Sequence, residues 1–179
     1  MNKIAKSIAA VTLSIALGTT AVWASGTHSG THQAKMNTGE AGHAENVTRT
    51  IEIKMYDNYY EPENISVTEG ETIRFVIKNE GEFVHEFNIG TAEMHSAHQE
   101  EMMTMMEHGV LEIDKINHEM MSMDMGNGQT MEHDDPNSVL LEPGKDGEII
   151  WKFSAASDIE FACNVPGHYD SGMMGQIKF

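Results

Sequence analysis

The 179-residue sequence predicts an all-β chain, an antiparallel sandwich or barrel with a partly helical interruption. Three observations carry that expectation. Short apolar–polar alternations recur between Gly, Pro and Asn turn signals. No strand–helix–strand rhythm runs through them, so a parallel α/β sheet is excluded. One stretch, at about residues 91–136, has a wholly different texture, rich in Met and His, and strand-like runs resume after it.

The N-terminus reads as an export signal. Lys3 and Lys6 precede an apolar run from Ser7 to Gly18 and a small-residue end at Ala24, the pattern of a cleavable leader over residues 1–24. The alternative, a retained anchor, is disfavoured because the run is short for a bilayer span. The expectation is a soluble exported protein with its mature start near Ser25. Residues 25–46 are rich in Gly, Ser, Thr, Ala and His (His28, His32, His43), with few branched apolar side chains. Such a composition buries too little surface to order itself and predicts a flexible arm.

The domain is expected over 47–179. Ile51, Ile53 and Met55 alternate with polar residues from Val47 onward, the mark of a half-buried strand. Tyr56 to Pro62 form a turn, then Ile65–Val67 and Thr72–Lys78 are further strands, parted by Glu69-Gly70-Glu71. Phe83–Ile89 follows the turn signal Asn79-Glu80-Gly81, and places His85 among apolar residues with Phe83 and Phe87 on its own face. Beyond the insertion come Val139–Leu141, the Pro143-Gly144 turn, Glu148–Phe153, Ile159–Cys163 and Gly175–Phe179.

Eleven Lys and Arg face 28 Asp and Glu, a net charge of −17, and Lys3 and Lys6 depart with the leader. An acidic surface disfavours nucleic acid and anionic lipid as partners, and favours cations and basic protein patches. No other apolar run could cross a membrane, so none is expected as a partner after leader removal.

Chemistry concentrates near the C-terminus. The only cysteine, Cys163, is followed by His168 and Met173 at five-residue steps. A single cysteine in an exported chain has no internal disulfide partner, which leaves a free thiol, an intermolecular bridge or a metal ligand. An unprotected thiol is a liability in an oxidising compartment. Thiolate, imidazole and thioether together suit a thiophilic redox metal, and softness points to copper. A lone histidine on an apolar strand is more often a satisfied core residue, but beside this set His85 is the best source of a second imidazole. Zinc fits less well, because structural zinc recruits several cysteines and thioether is a poor zinc ligand.

In these residues the chain resembles the cupredoxins, the type 1 copper proteins, over about Val47 to Phe179 with the insertion set aside. The likeness rests on His85 in a mid-chain strand and on Cys163, His168 and Met173 in a Cys-x4-His-x4-Met loop between two strands. It implies a Greek-key β-sandwich with copper at one end, held by His85, Cys163 and His168 with Met173 axial. Met174 is a second possible axial ligand. Many cupredoxins place Asn after the first histidine, where it orders the cysteine loop; here the residue is Glu86. Because groups around the ligands tune the metal, redox behaviour does not carry over.

The insertion offers Met94, His95, His98, Met102, Met103, Met105, Met106, His108, His118, Met120, Met121, Met123, Met125, Met131 and His133. One or two short helices are expected, since Met102, Met106, Val110, Ile113 and Asn117 follow helical spacing, with a looser tail around Gly126-Asn127-Gly128. Methionines of this kind can be the packed face of a helix. Against that, Met103 and Met105 fall off a single stripe, Leu is nearly absent, and histidines and acids are interleaved. Thioethers bind Cu(I) without deprotonation, so a second copper-loading region is the expectation. A Met/His-rich insertion makes the chain resemble the periplasmic copper-tolerance cupredoxins of Gram-negative bacteria. That implies binding of copper, with oxidation of Cu(I) the one slow reaction in view, and no enzyme otherwise. There is no His-x-His pair or second domain of the kind a copper oxidase or nitrite reductase needs. The alternative is a mobile electron carrier. Either function could engage a basic redox or copper-handling protein.

Overall fold

The computed structural model of the chain describes residues 38–123, 130–154 and 158–179. The expected leader, residues 25–37 of the arm, Met125 and the Gly126–Gly128 tail lie outside the described residues. Among these residues ten strands form two five-stranded sheets. The first holds β1 (Glu40–Ala41), β8 (Asp146–Lys152), β5 (Thr72–Asn79), β2 (Arg49–Tyr56) and β3 (Tyr59–Glu61), in that spatial order. The second holds β4 (Asn64–Ser66), β10 (Met174–Lys178), β9 (Glu160–Ala162), β6 (His85–Gly90) and β7 (Ser138–Leu141). The alternation read in the sequence is the alternation observed: Ile53 and Met55 of β2 and Ile73, Phe75 and Ile77 of β5 are buried between the sheets. Phe87 and Phe161 answer them from the second sheet, with ring centroids 5.2 Å apart, and Phe75 lies 5.4 Å from Phe87. Tyr60 closes this aromatic centre and its hydroxyl donates to the Glu86 carbonyl at 2.6 Å, so a buried phenol keeps a partner.

Pairing departs from the all-antiparallel expectation at two places. β2 runs parallel to β5, with Ile53 beside Ile77, and β10 runs parallel to β4, with Ile177 beside Ile65. Between β2 and β5 the chain crosses to the second sheet as β4 and returns. Such a crossover lets a strand come back in the same direction as its neighbour.

The end of the predicted arm is also ordered. β1 pairs with β8, Gly42 N donates to Ile150 O at 2.8 Å, and Trp151 Nε1 donates to the Thr38 carbonyl at 3.1 Å. An edge strand needs only the unpaired backbone groups of its neighbour, which composition does not report.

The insertion folds as α1 (Ala92–Glu107), a loop, and α2 (His118–Met121). Thr91 caps α1, its hydroxyl accepting from Met94 N at 3.3 Å. The helical spacing read through to Asn117 is broken earlier: Gly109, at φ +73°, follows the last turn, a left-handed position that favours glycine. Residues 110–116 then form a plug instead of a helix. Val110 and Leu111 are buried, Leu111 bridges to Ile116, and Val84 N donates to Ile113 O at 2.7 Å. This packing explains why every residue of β6 is buried. One face of β6 meets the sandwich and the other is covered by the insertion. Among the described residues no helix is long and apolar enough to cross a membrane.

Candidate metal centre

Three chain segments meet at one end of the sandwich. His85 is the first residue of β6, Cys163 follows β9, and His168 sits in the loop that leads to β10. Backbone hydrogen bonds close that loop: His168 N donates to Val165 O at 2.9 Å, Met173 N to His168 O at 3.0 Å, and Cys163 N to Met173 O at 3.1 Å. The Met173 backbone is thereby tied to both loop ligands, and its side chain is wholly buried. Met174, half-buried, lies in β10 opposite Ala162. The Cys-x4-His-x4-Met spacing is thus the length of one loop closed on itself.

The donor atoms form a compact triangle. His85 Nδ1 and His168 Nδ1 are 3.2 Å apart, and Cys163 Sγ lies 3.9 Å from the first and 3.3 Å from the second. The point equidistant from all three is about 2.0 Å from each, the length of an imidazole–metal bond and slightly short of a thiolate–metal bond. Two imidazoles and a thiol around such a point fit copper. His85, Cys163 and His168 are brought together.

Electrostatics prepares the imidazoles and leaves the thiol protonated. Burial pushes His168 down to about 4, helped by the neighbouring His85, and burial likewise lowers His85 against the pull of Asp57. Both rings are therefore neutral at pH 7 with a lone pair to offer. Burial pushes the Cys163 thiol up to about 12, although the Glu86 N–H, 3.3 Å from Sγ, favours the thiolate. Metal binding must displace that proton.

Sequence reasoning missed Asp57. It sits in the turn between β2 and β3, and its Oδ1 lies 3.1 Å from His85 Nε2 while accepting from Glu82 N at 2.8 Å and Phe83 N at 3.3 Å. A carboxylate on Nε2 puts the ring proton there and leaves Nδ1 free to bind. Burial works to raise the Asp57 carboxyl, but the hydrogen bonds from His85 and the two amides hold it below its ordinary value. Gly81 passes so close that a Cβ would meet Asp57 Oδ1 and approach His85 Nε2 to 2.8 Å. Phe83 does not share the buried face of His85 as expected; it precedes β6 and is 38% exposed.

Glu86 takes up the tethering that an Asn provides elsewhere. Its Oε2 accepts from Asn164 N at 3.1 Å and Asn164 Nδ2 at 2.8 Å, which fixes the residue next to Cys163. The carboxylate is wholly buried. Burial raises it, but His98 and His133 outweigh that and hold it well below the usual carboxylate range. Burial also works to lower His98, yet Glu86 and Glu101 bring it up to about 10.

The insertion's soft side chains are dispersed. Met102 and Met105 are buried in the hydrophobic core, and Met106, Met120, Met121 and Met131 pack against it half-buried. Met94 is half-buried, while Met103 and Met123 are exposed, as are His108 and His118. His95 is buried and takes a hydrogen bond from Asn164 Nδ2 at 3.2 Å. Among the described residues of the insertion, only His98 and His133 converge, on Glu86.

Comparison with known proteins agrees with this fold. The family description "Cupredoxin-like domain" matches residues 14–118, a span that includes His85 and ends before Cys163. A copper-resistant cuproprotein, CopI, of Pseudomonas aeruginosa is 48% identical over 145 residues, covering 78% of this chain and 80% of that protein. CopI of Rubrivivax gelatinosus is 35% identical over 153 residues, covering 84% and 79%. Among solved structures, auracyanin from Roseiflexus castenholzii superposes with a TM-score of 0.51 at 22% identity, covering 74% of this chain and 97% of that one. Auracyanin B gives 0.55 at 18%, covering 79% and 97%. These two show the shared sandwich fold. With its two-sheet fold, its family match and close relatives that span most of its length, the chain belongs to the cupredoxin family.

Proposed function

We propose that this chain is a periplasmic copper-tolerance cupredoxin that holds copper at His85, Cys163 and His168, with Met173 as axial ligand. The observation that carries this is the triangle of two imidazole nitrogens and one thiol sulfur around a point about 2.0 Å from each. The names of the relatives supply the physiological setting. Bound copper would supply reversible one-electron transfer between Cu(I) and Cu(II). The protein's part is to fix the donors in place. Asp57 orients His85, Glu86 and Asn164 hold the cysteine loop, and the loop's backbone bonds keep His168 and Met173 in register with Cys163. Exposed Met103, Met123, His108 and His118 give the insertion an outer surface that could gather copper, with slow Cu(I) oxidation, its electron passing to dioxygen, the one reaction the reading includes. The export signal and the acidic surface suit a cation-handling protein of the cell envelope.

The test is titration of the mature apo-protein with Cu(II) and then Cu(I), following visible absorption and bound copper, repeated with Cys163→Ser. An intense thiolate-to-copper band lost in the variant is expected, with further Cu(I) per chain surviving it. No coloured species would overturn the assignment. A second reading, a mobile electron carrier, is favoured by half-exposed His168 and exposed Phe83 at the same end, which would let a redox partner dock close to the metal. A single copper per chain and unchanged copper tolerance in a deletion strain would select it.

A further inference from the structure

Glu86 is the residue in this fold with more donors than it can use. Its Oε1 lies 2.9 Å from His98 Nε2, 2.9 Å from His133 Nε2 and 3.2 Å from Asn88 Nδ2, and the Ser138 hydroxyl also donates to it. A carboxylate oxygen offers about two lone-pair directions, so four donors on one atom are too many. The crowding is built by the fold. His98 comes from α1, His133 from the far end of the insertion and Glu86 from the covered face of β6, and the two imidazoles stack with centroids 4.9 Å apart. The Glu86 side chain is fully buried, those of His98 and His133 nearly so at 11% and 6% exposed. The second nitrogen of His98 faces a carboxylate, Glu101 Oε2 at 3.0 Å. A metal ion at Nε2 would take the place of the proton shared with Glu86 Oε1, while the Nδ1 proton stays on Glu101. Histidines that bind metals are oriented by just such a carboxylate on the other nitrogen.

We propose that Glu86, His98 and His133 form a second metal site for a borderline divalent cation, Cu(II) in a copper-rich envelope. Two imidazole nitrogens and one carboxylate oxygen, all within 4.8 Å of one another, suit Cu(II) or Zn(II) and lack the sulfur that Cu(I) prefers. The site differs in kind from a methionine surface for Cu(I), and it includes a residue that is neither Met nor His. It also touches the first centre. Glu86 follows His85 in the chain, its N–H donates to Cys163 Sγ at 3.3 Å, and its carboxylate holds Asn164. A cation drawn against Glu86 therefore shifts the hydrogen bond on the thiolate.

The experiment uses the full chain carrying one Cu(II), titrated with Zn(II), a colourless probe, against a competing chelator. One Zn(II) per chain is expected to be retained, with a shift in the copper–thiolate band. His98→Gln and His133→Gln keep an amide donor for Glu86 but remove an imidazole. Each is expected to weaken Zn(II) at least about tenfold and abolish the band shift, while the colour of the first centre remains. X-ray absorption at the zinc edge in the unaltered chain, which needs no variant, should report two imidazoles and no sulfur. Repeating the titration in Cys163→Ser separates this site from the first one, since Zn(II) is expected to bind there unchanged whether or not copper is held by the thiol. Equal Zn(II) retention in the Gln variants, a sulfur ligand, or no retained Zn(II) would each overturn the proposal and leave a hydrogen-bonded cluster only.

Discussion

Replacing Asp57 by Ala tests how the first centre is organised. Oδ1 of Asp57 accepts three hydrogen bonds, from His85 Nε2 and from the amides of Glu82 and Phe83. The side chain is 30% exposed, so water can take over part of the amide contacts. It cannot hold the imidazole in one tautomer. Loss of a carboxylate that orients a ligand histidine typically costs 10–100-fold in metal affinity, or about 1.4–2.7 kcal/mol. Asp57→Asn keeps an oxygen in the same place for all three donors and should lose less than about tenfold. Because the carboxylate charge stabilises Cu(II) over Cu(I), both substitutions should raise the reduction potential. Affinity is read by competition with a Cu(II) chelator, potential by redox titration, and integrity of the fold by urea unfolding of the apo-protein. An Asp57→Ala protein that folds and binds copper within about threefold of the parent would refute the orientation argument. An Asn variant as weak as the Ala variant would refute it too, because charge alone would then set affinity.

Three more outcomes follow from particular residues. Met102→Ala, at a fully buried position, should cost about 2–5 kcal/mol of stability by leaving a cavity, while Met103→Ala, 45% exposed, should stay within about 0.5 kcal/mol; equal, small effects in urea melts would remove Met102 from the core. Loading the first centre with one equivalent of Cu(II) at pH 7 should release about one proton, because Cys163 at about 12 is still a thiol while His168 at about 4 is already neutral; release of none, or of two, at that first equivalent in a weakly buffered dye assay would contradict the burial argument. Met173→Leu should keep copper bound but move its visible band, as expected for loss of a weak axial ligand, whereas Met174→Leu should leave the band in place; the reverse pattern would make Met174 the ligand.

Much of the fold was legible because strand patterns are local. Alternation at Ile51, Ile53 and Met55 placed β2, and the Pro143-Gly144 turn placed the entry to β8. The ligand loop was legible for the same reason: Cys163, His168 and Met173 lie within one turn-and-return whose length is set by its own backbone bonds. The helical insertion was harder. Spacing alone extended a helix to Asn117, but Gly109 and the burial of Val110 and Leu111 end it at Glu107, since a plug against Val84 buries more apolar surface than another exposed turn would.

What the sequence alone determined was most of the short strands, β1 and β3 excepted, and the donor chemistry, because residue type and near-neighbour spacing fix both. Only tertiary structure decided who stands behind the donors. Asp57 is 28 residues from His85 and Asn164 is 78 from Glu86, and no local pattern marks a turn aspartate as the partner of a distant imidazole. The same holds for the methionines. Met102 and Met103 are alike as letters, and the sheet beneath α1 buries one and leaves the other in water. His98 and His133, 35 residues apart in a segment that reads as a diffuse gathering surface, converge because both ends of the insertion must close over β6, where Glu86 is already buried.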